Sequence, residues 1–302
     1  MKRILSQFRP EEILAICFLV VLGILNLVGQ RQFDWSYMEL MVSFSGSFFP
    51  YFFMAAALHL LLVVVWRKKN LKLHPLRDWM PFVVCLITYE LLSKFANWIN
   101  PNDQDALLAA IDHTIFGVHP TVWMERFISP GLTDYLSLTY ALYFFWPPLL
   151  GCDLYLRRKL GSFRDLMLAV VLTCFIGYIG YLLVPAVGPQ YFQSALYTRG
   201  LDSGPTGNAI IFTVDELKPI LRDCFPSLHT AVTTVVLIFA WRHSRLLFWP
   251  ILPLCLSLFF STMYLRLHYF IDLVAGWVLA SIAVHLAVRL NLWWYRNIKA
   301  LS

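Results

Sequence analysis

A histidine four residues ahead of an aspartate, His268-Tyr269-Phe270-Ile271-Asp272, is the segment of this chain best suited to chemistry. A second histidine follows in Cys224-Phe225-Pro226-Ser227-Leu228-His229. On a helix, the four-residue spacing puts His268 and Asp272 on one face. The carboxylate then holds one ring nitrogen protonated and leaves the other free to attack an electrophile. His229, delivered on another helix just after Pro226-Ser227, is placed to protonate a leaving group. Together these residues read as covalent phosphoryl transfer on a membrane-embedded substrate.

The elements that must position them are membrane helices. Of 302 residues, 59% are hydrophobic, 16% aromatic and only 14% charged, against about 25% charged in soluble domains. Apolar runs long enough to cross a bilayer recur at 12–30, 44–66, 79–99, 132–152, 165–185, 226–241, 246–264 and 269–290. The expected fold is therefore all-α, a polytopic bundle of about eight transmembrane helices in a single membrane domain, 1–302. Within it, 1–99 are accessory helices, 100–131 an extracytoplasmic interfacial segment and 132–302 the catalytic core. With the N-terminus in the cytoplasm, most of the 24 Lys and Arg fall in inside segments, as in Arg67-Lys68-Lys69 and Arg157-Arg158-Lys159. Acidic residues such as Asp103, Asp105, Asp112, Glu125 and Asp202 fall outside. The positive-inside rule is met at each turn, which puts both termini in the cytoplasm and both histidine motifs on the extracytoplasmic side. The net charge of +6 is this topology signal plus attraction to anionic lipid, and calls for no nucleic-acid partner. The first apolar run has no small-x-small cleavage site near its end and is expected to remain as a span.

Two external loops flank the chemistry. In 100–131, the apolar residues of Asp105 to Phe116 recur at helical spacing and Gly117 can end the helix, which predicts a short amphipathic helix on the membrane surface. Asp112 and His113 read as surface residues of that helix. The loop 186–225 is rich in Gly, Pro and polar residues and is a candidate lid or headgroup selector. Cys17, Cys85, Cys152, Cys174 and Cys255, five of the six cysteines, read as packing residues, and with no CxxC pair, HExxH or glycine-rich phosphate loop neither metal nor cofactor is called for. Glu90 and Lys94 read as a neutralising pair between helices, and His59 and His285 as packed histidines. The tryptophans read as a membrane-interface belt.

Pro226-Ser227-Leu228-His229, with His268-x3-Asp272 further along, resembles the type-2 phosphatidic acid phosphatase superfamily. The usual motifs there are Pro-Ser-Gly-His and Ser-Arg-x5-His-x3-Asp. Here the second frame is Ser261-Thr262, Met263 to Leu267, His268 and Asp272, with Thr in place of Arg. The superfamily's first motif, a Lys and an Arg-Pro that bind phosphate, has no match. Cys-Phe-Pro-Ser-Leu-His-Thr-Ala, His-Tyr-Phe-Ile-Asp-Leu-Val-Ala-Gly and Gly188-Pro189 are similar to inositol phosphorylceramide synthase and its bacterial relatives. The resemblance covers about 180–290, and more loosely Asp112 to Pro148.

It implies a phosphatidic-acid-phosphatase-like core in which His268 is the nucleophile that forms a phosphohistidine, Asp272 orients it, and His229 is the general acid and base. Ser227 and the following helix N-terminus would hold phosphate oxygens. The missing Arg and Lys would be replaced by Arg222 first, with Arg266, Lys218, Arg199, Gln190 and Tyr191 as further candidates. Arg266 lies two residues before His268 and reaches it only if the segment is irregular there. The implied partners are a phospholipid donor and a lipid acceptor, or water. Three functions remain open: a lipid phosphotransferase, a lipid phosphate phosphatase, and a non-enzymatic transporter. The lack of monoester-gripping cations and the long external loop favour the transferase. A chain without long tails points to a bacterial inner membrane.

Overall fold

Helix boundaries follow the apolar runs closely, as a bilayer or a protein interior leaves backbone groups no other partners. The computed structural model describes residues 8–29, 75–205, 207–211 and 222–298, and all their regular structure is helical. The helices are α1 (Pro10–Gly29), α2 (Pro75–Ile99), α3 (Asp105–Phe116), α4 (Pro130–Ala141), α5 (Trp146–Leu156), α6 (Leu160–Leu183), α7 (Leu228–His243), α8 (Arg245–Tyr264) and α9 (Phe270–Asn297). Helices α6, α8 and α9 are long and apolar enough to cross a membrane. The run at 44–66, His59 and Lys218 lie outside the described residues.

Among the described residues three of the eight expected spans are thus matched by helices of membrane-crossing length, and the run 132–152 departs in form. The run 132–152 is two helices, α4 and α5, joined by a tighter 3₁₀ turn at Leu142–Phe145. Pro147 and Pro148 have no N–H to donate to the carbonyls four residues back, so a continuous α-helical ladder cannot run through Tyr143 and Phe144. Helix α3 appears where the loop pattern predicts it, and Gly117 closes it in the left-handed conformation (φ 71°), donating to the His113 carbonyl.

The described chain divides into two compact units. One comprises 1–91 and 288–302; within it Arg77 makes a bidentate pair with Glu12 at 2.6 and 2.9 Å, Arg9 pairs with Asp78, and Trp294 donates to the Phe8 carbonyl. The other, 92–287, carries both histidine motifs. At its centre α7 packs against α5, α6 and α8, and α4 packs on α8.

Close approach in this unit depends on small residues. Gly177 and Gly180 of α6 lie against Leu228 and the Pro226 ring, and a Cβ at Gly276 of α9 would sit 2.7 Å from the Ser227 carbonyl oxygen. Leu228 is thus accommodated in a recess at Gly177. Gly276→Ala is expected to lower stability by about 1–3 kcal/mol, because clash with a backbone oxygen outweighs the roughly 1 kcal/mol of helix propensity gained. Gly161→Ala, which meets open space near the start of α6, is the control expected to be neutral or stabilising. Thermal unfolding of both variants in detergent checks the sign.

Candidate active site

Each reactive side chain sits at a helix start, and the caps of those helices hold the site together. Ser227 caps α7: its Oγ accepts from the Thr230 N–H at 3.3 Å and from the Thr230 hydroxyl at 3.2 Å. Its own N–H donates to the Asp272 carbonyl at 3.1 Å, which ties the start of α7 to the first turn of α9. Ser227 is fully buried, so its hydroxyl is engaged in capping.

His268 precedes α9 and is not helical, while Asp272 lies in the first turn. The two are therefore not stacked on one helical face as their spacing predicts. Chain reversal after α8 leaves His268 outside the helix, and Asp272 reaches back to accept the Tyr269 N–H at 2.8 Å. His268 Nδ1 lies 3.5 Å from Asp272 Oδ2 but only 2.9 Å from the Cys224 carbonyl. A carbonyl only accepts, so Nδ1 carries the proton and Nε2 keeps its lone pair. That Nε2 faces His229 Nδ1 at 3.4 Å. The His229 ring lies against Tyr140 and Tyr143, with centroids 4.5 and 4.4 Å away. A buried nucleophilic nitrogen beside a second, half-buried imidazole is an arrangement able to form a bond to phosphorus and protonate what leaves.

Sequence reasoning missed the supports of this pair. Cys224 supplies the carbonyl on His268, and its thiol donates to Asp272 Oδ2 at 2.9 Å. Asp112, expected on the surface, is buried: it accepts the Phe270 and Ile271 N–H groups at 2.7 and 3.0 Å, capping α9 from another helix. Burial raises its pKa to about 6 against the pull of those two amides. Asp105 accepts the Val187 and Gly188 N–H groups and the Tyr269 hydroxyl, at 2.8–2.9 Å. The signal was available, because the buried stripe of α3 is Asp105, Leu108, Ala109 and Asp112, an i, i+3, i+4, i+7 set that begins and ends in aspartate.

The cations expected to replace the missing phosphate ligands are committed elsewhere. Arg222 donates Nε to Asp103 at 2.5 Å and its two other nitrogens to the carbonyls of Asn100 and Pro101. The segment at Arg266 is irregular, in the left-handed region (φ 65°), but its guanidinium turns to Glu125 at 3.0 Å and lies over the Tyr197 ring. Glu125 also accepts from Thr198 and the Arg199 N–H. Burial pushes the Glu125 carboxyl up, yet those donors and Arg266 hold it below the ordinary carboxylate range. Arg199 donates to the Glu125 and Ile128 carbonyls. Gln190 donates its N–H to the Arg266 carbonyl and lines a small cleft with Ser137, Tyr140 and Leu267, while Tyr191 is exposed.

A family model described as the PAP2 superfamily matches residues 107–286, more than half of the chain, from α3 through most of α9. No curated protein and no solved structure matches it. Thr262, which stands in the Arg position of the resembled motif, folds its hydroxyl back to the Phe259 carbonyl at 2.8 Å.

Proposed function

Because the chain belongs to the PAP2 superfamily, we propose that it is a lipid phosphotransferase working through a phosphohistidine on His268. The observation that carries this reading is His268 Nε2 facing His229 at 3.4 Å while Nδ1 is held by a carbonyl. In the first step Nε2 bonds to the phosphorus of a phospholipid diester, the bond to the lipid alkoxide breaks, and His229 gives that alkoxide its proton. In the second, His229 takes the proton of an acceptor hydroxyl, whose oxygen bonds to phosphorus as the P–N bond breaks. Asp272 stabilises the imidazolium, and the N-terminus of α7 favours the phosphate's negative charge.

A diester donor fits the commitment of Arg222 and Arg266 to Asp103 and Glu125. It carries one negative charge, whereas a phosphomonoester carries about two at neutral pH and demands more cationic contact. This supports transfer over hydrolysis, and an inositol-phosphate-like headgroup in keeping with the resembled synthase branch. The proposal includes one membrane domain of eight spans with 132–302 as its core. Both termini are cytoplasmic and the site extracytoplasmic, in a bacterial inner membrane.

The test uses purified protein in lipid micelles with radiolabelled phosphatidylinositol or phosphatidic acid, with and without ceramide or diacylglycerol. Label appearing in a new lipid with wild type is the expected result. Free phosphate or free headgroup as the sole product would replace the transferase reading with a hydrolase.

A further inference from the structure

Cys224, which belongs to neither the nucleophile's own segment nor its helix, converges on His268 and Asp272. Cys224 Sγ is 2.9 Å from Asp272 Oδ2 and 3.7 Å from His268 Nδ1, and Nδ1 is 3.5 Å from the same carboxylate oxygen. Sulfur, imidazole nitrogen and carboxylate oxygen form the donor set that zinc takes, with bonds of about 2.3, 2.0–2.1 and 2.0–2.2 Å. A tetrahedral ion with those bonds separates its donors by about 3.4–3.6 Å. Two of the three edges present here lie within about 0.2 Å of that range. The third opens once the S–H···O hydrogen bond is replaced by bonds to a metal. All three groups are buried, and the other oxygen of Asp272, Oδ1, has no hydrogen-bond partner among the described residues.

We infer that Cys224, His268 and Asp272 form a site for a thiophilic divalent cation, zinc by preference, whose occupation switches the histidine pair off. Loading releases the thiol proton to solvent and leaves thiolate and carboxylate to balance the 2+ charge. It also takes Nδ1 of His268 from the Cys224 carbonyl. The proton then resides on Nε2, which loses the lone pair that would attack phosphorus. Sequence spacing does not bring the full set together, because Cys224 comes from the segment before α7, His268 from the turn before α9 and Asp272 from its first turn. The inhibitory consequence rests on the function proposed above; the metal site itself does not.

The experiment titrates cobalt(II) into the chelator-treated full chain in detergent micelles and follows the thiolate-to-cobalt charge-transfer absorption. One equivalent is expected to bind wild type with that band. Cys224→Ser is expected to lose it, and His268→Ala to weaken binding at least tenfold, both with unchanged helical circular dichroism. Cys17→Ser and Cys152→Ser, at exposed positions, should keep the band. Absence of the band in wild type, or its survival in Cys224→Ser, overturns the site. Zinc should inhibit label transfer by wild type reversibly, and Cys224→Ser at least tenfold more weakly; equal inhibition of both overturns the switch. If His268→Ala still transfers label while wild type binds cobalt, the phosphohistidine reading fails and the metal site stands.

Discussion

His268→Ala is expected to abolish phosphoryl transfer, by more than about 10⁴-fold, since removing a covalent nucleophile leaves only binding and charge stabilisation. His229→Ala should lose about 10²–10⁴-fold, the usual contribution of a general acid and base. Asp272→Asn should lose least, because the closest acceptor for His268 Nδ1 is the Cys224 carbonyl and not the carboxylate. That order comes from the geometry; a helical His–Asp pair alone would put Asp272 close behind His268. Label transfer by the three variants, at matched yield of folded protein, measures it. A phosphoenzyme trapped in wild type and missing in His268→Ala would locate the covalent step. Activity of His268→Ala within tenfold of wild type would remove the histidine from the mechanism.

The second large effect is expected at Asp112. Asp112→Ala strips both acceptors from the first N–H groups of α9, and each buried, unpaired N–H costs about 1–3 kcal/mol. The helix start that carries Asp272 and follows His268 should loosen, so both stability and transfer should fall. The pH dependence has a definite sign. Asp112 is raised to about 6 in the folded chain from an ordinary 3.8, so the native state binds the proton more tightly than the unfolded chain. Its stabilising contribution is full below about pH 4 and diminishes as pH rises to about 6. The difference in unfolding temperature between wild type and Asp112→Ala should therefore narrow over that window and be flat above it. A difference independent of pH, or one that widens, would show that Asp112 does not titrate in this way.

Much was legible in the chain before any coordinates. The bilayer admits so few backbone arrangements that apolar runs marked where most of the described helices lie, although 132–152 breaks into α4 and α5, and Gly117 marked the end of α3. The motif residues 226–229 and 268–272 pointed to the two histidines because their types, in so apolar a chain, have few structural uses. Helix periodicity also held the stripe Asp105, Leu108, Ala109 and Asp112, though Asp112 read as surface when it caps α9.

What only the tertiary structure decided are the partners of each polar group. The i, i+4 spacing of His268 and Asp272 predicts a shared helical face, yet the chain reverses between α8 and α9 and places His268 ahead of the helix. Its Nδ1 proton therefore goes to the carbonyl of Cys224, a residue 44 positions away. Arg222 and Arg266 lie near the motifs in sequence, but Asp103 and Glu125, both more than 100 positions away, take their charges. Local pattern determines which faces are apolar and where helices begin. Which buried donor meets which acceptor depends on chain reversals and on close approaches such as Gly276 to the Ser227 carbonyl, and those exist only once the helices have packed.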